Sequence, residues 1–236
     1  MTIKVAVIQF PGSNCDLDIL HVLNNVMNVE TELIWHNNFR ESQFDGCVFP
    51  GGFSFGDYLR AGIIAAHSPA IDEARVMLKD GRPILGTCNG FQILTEAQFL
   101  PGALLRNDTL KFICKWINIR VEKTSTAFTN KMEKNSVLDI PIAHAEGRYF
   151  TDNLKELEEN DQIVFRYTNK AGEITEEDNP NGSLESIAGV CNLEKNCVGL
   201  MPHPERASEA IISPNGTTHG KLFFESMIEF IKKGGF

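Results

Sequence analysis

The 236-residue sequence has no long apolar run, no closely paired cysteine motif and no basic stripe. No stretch approaches the roughly 18 apolar residues that cross a membrane, so we expect no membrane span. None of the six cysteines has the C-x-x-C spacing of zinc and redox sites. We therefore expect reduced thiols and no bound metal, with Cys47, Cys114 and Cys197 as small buried hydrophobic residues.

Basic residues are outnumbered: 22 Lys and Arg stand against 31 Asp and Glu, which gives a formal net charge of −9. Nucleic-acid-binding domains usually carry a basic face, so we expect neither a nucleic-acid nor a membrane partner. The chain starts in an apolar strand pattern rather than a signal peptide, and we expect a cytoplasmic protein. Because no linker or repeat interrupts it, we predict one domain over residues 1–236.

Strands and helices alternate through the first half of the sequence. The spacing of apolar residues predicts strands at 3–10, 31–35, 45–50, 83–86, 112–121, 162–168, 186–192 and 197–201, the last two forming a hairpin. It predicts helices after Ser13 or Asn14 and at 61–79, 89–98 and 219–233. This order predicts an α/β fold, a mainly parallel sheet flanked by helices on both faces. Ligands of such sheets bind beyond the carboxyl ends of the strands.

A reactive cysteine is predicted in G-T-C-N-G at residues 86–90, which follows a buried strand and opens a helix. This context matches the nucleophile elbow, with Cys88 in place of serine. The glycines leave room for a sharp turn, and the N–H groups at a helix start favour a thiolate that can attack a carbonyl. The alternative is a structural cysteine at a strand–helix junction.

A base and its orienting group are predicted in M-P-H-P-E-R at residues 201–206, at the end of another strand. The prolines favour an extended chain, in which His203 and Glu205 point the same way. Glu205 would then hold one imidazole nitrogen while the other faces the thiol. His144 and Glu146 form a rival pair for this role.

Oxyanion donors are predicted where P-G-G-F at 50–53 ends a third strand. Acyl transfer places negative charge on the former carbonyl oxygen, and glycines let backbone N–H groups approach it closely. We assign the N–H of Gly52 or Phe53, together with that of Asn89. A plain strand-ending turn is the alternative here, and F-P-G-S-N at 10–14 is a candidate anion nest.

Three motifs resemble those of the class I, triad-type glutamine amidotransferases: G-T-C-N-G-F-Q at 86–92, P-G-G-F-S-F-G-D-Y at 50–58 and M-P-H-P-E-R at 201–206. Further segments at 10–16, 144–149 and 179–183 resemble a branch of that family made of stand-alone glutaminase subunits. The resemblance extends over the whole chain and implies a single-domain, flavodoxin-like α/β fold. Ala145 stands where the family commonly has glycine.

The resemblance implies that Cys88 attacks the side-chain amide of L-glutamine, with His203 as the base and Glu205 orienting it. It implies oxyanion or substrate contacts for Gly51, Gly52, Phe53, Asn89, Gln92 and Asn107. It also implies two partners, a large synthetase subunit that uses ATP and Mg²⁺ and a small third subunit, with no cofactor in this chain. A glutaminase serving another synthetase, a non-enzymatic subunit and a cysteine peptidase remain alternatives.

Overall fold

A computed structural model describes residues 2–235 of the chain. Its strands are β1 Lys4–Gln9, β2 Glu30–Trp35, β3 Gly46–Phe49, β4 Ile84–Thr87, β5 Ala103–Leu105, β6 Ile113–Val121, β7 Val137–His144, β8 Arg148–Phe150, β9 Ile163–Thr168, β10 Ile187–Cys191 and β11 Cys197–Leu200. Its α-helices are α1 Asp16–His21, α2 Pro69–Lys79, α3 Asn89–Glu96, α4 Leu154–Glu159 and α5 Lys221–Lys233. None of the helices between residues 2 and 235 has the length and apolarity to span a bilayer.

Nine of these strands form one sheet in the order β2-β1-β3-β4-β11-β10-β9-β6-β7. Strands β2, β1, β3, β4 and β11 pair with one another in parallel. From β11 to β7 the pairings are antiparallel, and β10–β11 is the predicted hairpin. The predicted α/β fold is confirmed, and the parallel part of the sheet contains the strands that precede the three motifs.

Side chains of the parallel strands alternate between two apolar cores, one on each face of the sheet. Val5 and Val7 of β1 pack in one core with side chains of α1 and α5. Ala6 and Ile8 pack in the other core with side chains of α2 and α3. Because successive strand residues point to opposite faces, β1 is buried on both sides and helices cover both faces, as predicted.

The predicted helix over 61–79 is shorter in the structure. The chain forms a turn and a 3₁₀ helix at Ala65–His67, and α2 begins only at Pro69. Proline has no N–H to donate and its φ angle suits the first position of a helix, so Pro69 starts α2 instead of lying inside a longer helix.

The cap predicted for the first helix is also different. Cys15 occupies the cap position of α1 and makes no side-chain capping hydrogen bond. Ser13 is not the cap because its Oγ accepts the N–H of Phe10, at 2.9 Å, within the preceding loop. The cap of α1 therefore lies one residue after Asn14 and two after Ser13, the two predicted positions.

The predicted burial is correct for Cys47 and Cys197 but wrong for Cys114. Cys47 and Cys197 lie in strands at the middle of the sheet and are fully buried. Cys114 is exposed near the start of β6, where that strand pairs with β7 but not yet with β9. The strand pattern is right, but it does not show where along the strand the core ends.

Candidate active site

Four parallel strands end at one edge of the sheet and bring the predicted motifs together. β1, β3, β4 and β11 are consecutive neighbours in the sheet. They lead into the loop at 10–15, the turn at 51–53, Cys88 and the loop at 201–206, respectively. This is the arrangement expected of ligand sites in parallel sheets.

Cys88 lies on a strained turn between β4 and α3. Its φ of 50° and ψ of −106° are values that L-residues rarely adopt. Its N–H donates to Leu200 O in the neighbouring strand at 2.8 Å. The flanking glycines permit the turn: a Cβ on Gly86 would lie 2.8 Å from Gly90 C, and a Cβ on Gly90 would lie 1.9 Å from Phe49 O. The geometry is that of the predicted elbow.

His203 and Glu205 form a buried hydrogen-bonded pair in the loop after β11. His203 Nδ1 donates to Glu205 Oε1 at 2.6 Å, and neither side chain is more than 2% exposed. The N–H of His203 donates to Pro141 O at 2.9 Å, which ties the loop to β7. Burial lowers the pKa of His203, but the negative charges of Glu205 and Cys88 outweigh it and raise that pKa well above 6.5.

The Cys88 side chain lies close to the His203 imidazole. Among residues 2–235, His203 Nε2 has no hydrogen-bond partner of ordinary geometry. Cys88 is nevertheless close enough that its charge and a side-chain contact raise the pKa of His203. Cys88 Sγ also lies 3.7 Å from Ala143 O at the end of β7. The structure therefore brings the three predicted catalytic side chains together, and their catalytic roles stay a prediction.

The turn at Gly51 and Gly52 packs directly against its neighbours and has no room for side chains. A Cβ on Gly51 would lie 2.8 Å from His203 Cε1, and a Cβ on Gly52 would lie 2.6 Å from Gly12 O. Any larger residue at either position would displace the imidazole or the loop at 10–15. The double glycine is therefore a requirement of the site and not only of the turn.

The two predicted oxyanion donors of this turn differ in their availability. The Phe53 N–H already donates to Gly12 O at 2.9 Å, whereas the Gly52 N–H has no partner within the described chain. Asn89 begins α3, and the first N–H groups of a helix have no intrahelical acceptor. Of the predicted donors, the N–H of Phe53 is therefore already bonded, whereas those of Gly52 and Asn89 have no backbone acceptor within residues 2–235. Oxyanion binding by these two groups stays a prediction.

Asn89 and Gln92 connect the walls of the site through the first turn of α3. Asn89 Oδ1 accepts the N–H of Ser54 at 3.1 Å, and Asn89 Nδ2 donates to Gln92 Oε1 at 2.8 Å. Gln92 Nε2 in turn donates to Glu146 O at 2.5 Å. These bonds hold the turn after β3 and the loop after β7 on either side of Cys88, and substrate contact by Gln92 stays a prediction.

Asn107 is fully buried and holds the loop after β7 in place. Its Nδ2 donates to Lys111 O and His144 O, and its Oδ1 accepts from Gly147 N–H and His144 Nδ1, all at 2.9–3.1 Å. Each polar atom of the side chain is bonded to protein. Its contact with substrate stays a prediction, and its observed bonds support this loop.

The rival pair of His144 and Glu146 is not formed. His144 Nδ1 donates to Asn107 Oδ1 at 3.1 Å, and the Glu146 carboxylate pairs with Arg106 at 3.3 Å. Burial, together with the positive charge of His203, lowers the pKa of His144 to about 3. His144 is therefore a neutral imidazole at physiological pH, without a carboxylate to orient it.

The alternative anion nest at 10–14 is not available in this structure. The N–H of Ser13 donates to Phe10 O, and the N–H groups of Asn14 and Cys15 both donate to Gly51 O, each at 3.0 Å. These donors bind the neighbouring turn instead of an anion.

Cys15 is a site residue that the sequence reasoning missed, although it belongs to the segment 10–16. Its buried Sγ lies 3.7 Å from His203 Nδ1 and 3.2 Å from Arg206 Nη2. The ligand-type atoms of Cys15, His203 and Glu205 lie within 4.8 Å of one another. However, Glu205 already holds Nδ1 and the Arg206 guanidinium already supplies a cation, so the geometry is that of a hydrogen-bonded cluster.

Comparison with known proteins agrees with this geometry. Residues 2–231 match the CobB/CobQ-like glutamine amidotransferase domain. The phosphoribosylformylglycinamidine synthase subunit PurQ of Methanosarcina acetivorans is 53% identical over 230 residues, 97% of this chain and 98% of that protein. PurQ of Aquifex aeolicus is 49% identical over 227 residues, 95% and 99% of the two chains. In the structure of PurLQS from Thermotoga maritima, a chain 40% identical matches with a TM-score of 0.84, covering 98% of this chain and 100% of that one. The chain therefore belongs to the CobB/CobQ-like glutamine amidotransferase family.

Proposed function

We propose that this chain hydrolyses L-glutamine to glutamate and ammonia as the glutaminase subunit of a phosphoribosylformylglycinamidine synthase. The observation that carries the proposal is Cys88 on a strained turn at a helix start, close to the His203 imidazole, which is bonded to buried Glu205. The near full-length similarity to PurQ proteins supports the choice of synthase. The ammonia would serve the ATP-dependent conversion of formylglycinamide ribonucleotide to formylglycinamidine ribonucleotide in purine biosynthesis.

In the first half-reaction the Cys88 thiolate attacks the carboxamide carbon of glutamine. The His203 imidazolium, stabilised by Glu205, protonates the leaving nitrogen, so the C–N bond breaks and ammonia departs. A γ-glutamyl thioester remains on Cys88. The transient oxyanion faces the N–H groups of Gly52 and Asn89, and such donors are each worth ~10²–10³ in rate.

In the second half-reaction water hydrolyses the thioester. His203, now neutral, removes a proton from the water as its oxygen adds to the thioester carbonyl. Collapse of the intermediate breaks the C–S bond, releases glutamate and restores the thiolate beside the imidazolium. The released γ-carboxylic acid ionises, so each turnover consumes one glutamine and one water and yields one glutamate, one ammonia and one proton. Glu205 holds the same ring nitrogen throughout, so the ring keeps its orientation in both steps.

The ammonia requires an acceptor enzyme, and we infer that this is a partner chain. The partners would be a large synthetase subunit that uses ATP and Mg²⁺ and a small third subunit, with no cofactor in this chain and a cytoplasmic location. Similarity to a chain of the PurLQS structure supports such an assembly. Exposed apolar side chains beside the predicted oxyanion turn suit docking, because Phe53 and Phe112 are both exposed and their rings lie 6.5 Å apart.

The direct test is to react the protein with 6-diazo-5-oxo-L-norleucine, a glutamine analogue that alkylates nucleophiles, and to locate the adduct by mass spectrometry. We expect the adduct on Cys88 and protection by excess glutamine. Exposed Cys114 is the internal control, because it should react with iodoacetamide but not with the analogue. An adduct elsewhere, or none, would favour a subunit in which Cys88 is structural.

A second test uses the assembled synthase with Cys88→Ala. Glutamine-dependent synthesis should disappear, while synthesis with added ammonium should continue because the partner's chemistry is intact. Persistent glutamine-dependent activity would contradict the proposal. Loss of both activities would show that the substitution disrupts assembly, and the adduct experiment would then decide.

A further inference from the structure

Cys15 contacts the base and the oxyanion turn at the same time. Its Sγ lies 3.7 Å from His203 Nδ1, and its N–H donates to Gly51 O at 3.0 Å. A Cβ on Gly51 would lie 2.9 Å from this sulfur, so the turn and the sulfur are in direct packing contact. The Cys15 side chain therefore bridges two parts of the site that follow different strands.

The surroundings of the sulfur are hydrogen-bond donors. Arg206 Nη2 donates to Cys15 Sγ at 3.2 Å, and Arg206 Nε donates to Asp18 Oδ2 at 3.1 Å, which orients the guanidinium. His203 Nδ1 donates principally to Glu205 and has the sulfur as a second, more distant neighbour. A thiol sulfur is a weak acceptor, and the adjacent cation polarises it. Rotation of the imidazole would break its contacts with both Glu205 and Cys15.

Backbone hydrogen bonds from the segment around Cys15 hold both ends of the predicted oxyanion turn. Asn14 and Cys15 hold Gly51 O, while Gly12 O receives the N–H of Phe53. The Gly52 N–H lies between these bonds and has no acceptor within residues 2–235. These bonds therefore leave the Gly52 N–H unpaired while the backbone groups on either side of it are bonded. An oxyanion donor has to be unpaired in this way before substrate binds.

We propose that Cys15 is a positioning residue for the glutaminase reaction, its sulfur fixing the His203 ring and its N–H fixing Gly51. The inference rests on the proposed function and gives Cys15 no contact with glutamine. The titratable groups around the imidazole are Glu205 and Cys88, with His144 on the β7 side. Arg206 acts through Cys15.

The test compares Cys15→Ala with Cys15→Ser in the assembled synthase. Alanine removes the acceptor, whereas serine keeps one of similar size. We expect alanine to lower kcat about three- to tenfold, the effect of one lost hydrogen bond, with little change in KM for glutamine. Because the sulfur contact helps to raise the pKa of His203, the alkaline limb of the pH profile should move to lower pH. Serine should restore most of both quantities.

Cys191→Ala is the matched control. Cys191 is as buried as Cys15, but its sulfur contacts Asp161 O and Gln162 O, and it pairs with Val198 near the amino end of β11, away from the site. This control should lower stability without moving the pH profile. If Cys15→Ala does not fold, Cys15→Val fills the space without an acceptor and should show the same loss of kcat.

The outcomes distinguish the role of Cys15 from the proposed glutaminase activity. If the wild-type synthase uses glutamine and the Cys15 variants differ from it only in stability, as the Cys191 control does, Cys15 is structural and the inference is wrong. An unchanged pH profile in an active alanine or valine variant would overturn it as well. A wild-type protein that does not hydrolyse glutamine would contradict the proposed function, and the role of Cys15 with it.

Discussion

His144 lies at the end of β7 next to the catalytic machinery and is held neutral there. Burial and the positive charge of His203 lower its pKa to about 3. Its Nδ1 donates to Asn107, and its Nε2 has no partner within residues 2–235. A second proton on this ring would be buried without an acceptor, so folding opposes protonation of His144.

The sign and size of the effect on stability follow from linkage. Below its usual pKa of 6.5 this histidine is protonated in the unfolded chain but not in the folded one, so the free energy of unfolding falls as pH drops from 6.5 towards 3. A pH of about 5 lies about 1.5 units below the unfolded-state pKa of 6.5. At 1.36 kcal/mol per unit, His144 therefore lowers the free energy of unfolding by about 2 kcal/mol at that pH. His144→Asn keeps an N–H for Asn107 and removes the titrating ring.

The assay is urea denaturation followed by circular dichroism, at about pH 7.5 and about pH 5. The wild type should lose about 2 kcal/mol more than His144→Asn between the two conditions, because the other titrating groups are shared. Exposed His67→Asn serves as a control for removing a histidine and should behave like the wild type. Equal losses in the wild type and His144→Asn would show that His144 is not held neutral, and would refute the reasoning.

Three further substitutions test other parts of the structure. Glu205→Gln should reduce kcat by up to ~10⁴ in a glutaminase assay, because the imidazolium loses its carboxylate; a loss below tenfold would contradict the orienting role. Gly51→Ala places a Cβ 2.8 Å from His203 Cε1, so alkylation of Cys88 by the glutamine analogue should slow by about 10² while the circular dichroism spectrum is retained. Phe223→Ala empties a fully buried site facing Phe165, so urea denaturation should show a loss of about 3–5 kcal/mol, and a loss under 1 kcal/mol would mean that the core closes over the cavity.

Features set by local sequence were predictable. The alternation of strands and helices predicted the fold class correctly. Strands that are buried on both faces are continuously apolar, and this can be recognised in a short stretch of sequence. The elbow at Cys88 was predictable because both glycines lie within two positions of it. The start of α2 could also have been predicted, because proline favours the first position of a helix. The apolar periodicity over 61–79 instead led to a helix that was too long.

Features that depend on distant contacts were not predictable. Cys15 and His203 are 188 positions apart, and no spacing rule connects them. The bond from Phe53 N–H to Gly12 O, which leaves Gly52 as the free donor of the turn, depends on how two loops pack. The exposure of Cys114 depends on where the core ends along β6, and a strand pattern carries no such information.

The pairing of β4 with β11 has a consequence for how the site tolerates change. Cys88 follows β4 directly and His203 follows β11 by three residues, and the ladder joins Ile84 to Cys197 and Thr87 to Leu200. The register of β4 against β11 therefore fixes the distance between nucleophile and base. A single-residue insertion in either strand would displace one by roughly 3.3 Å along the sheet and turn its side chain to the opposite face. Such an insertion could leave a folded protein with no activity, so length changes in these two strands should be far less tolerated than changes in the mostly exposed segment 170–177.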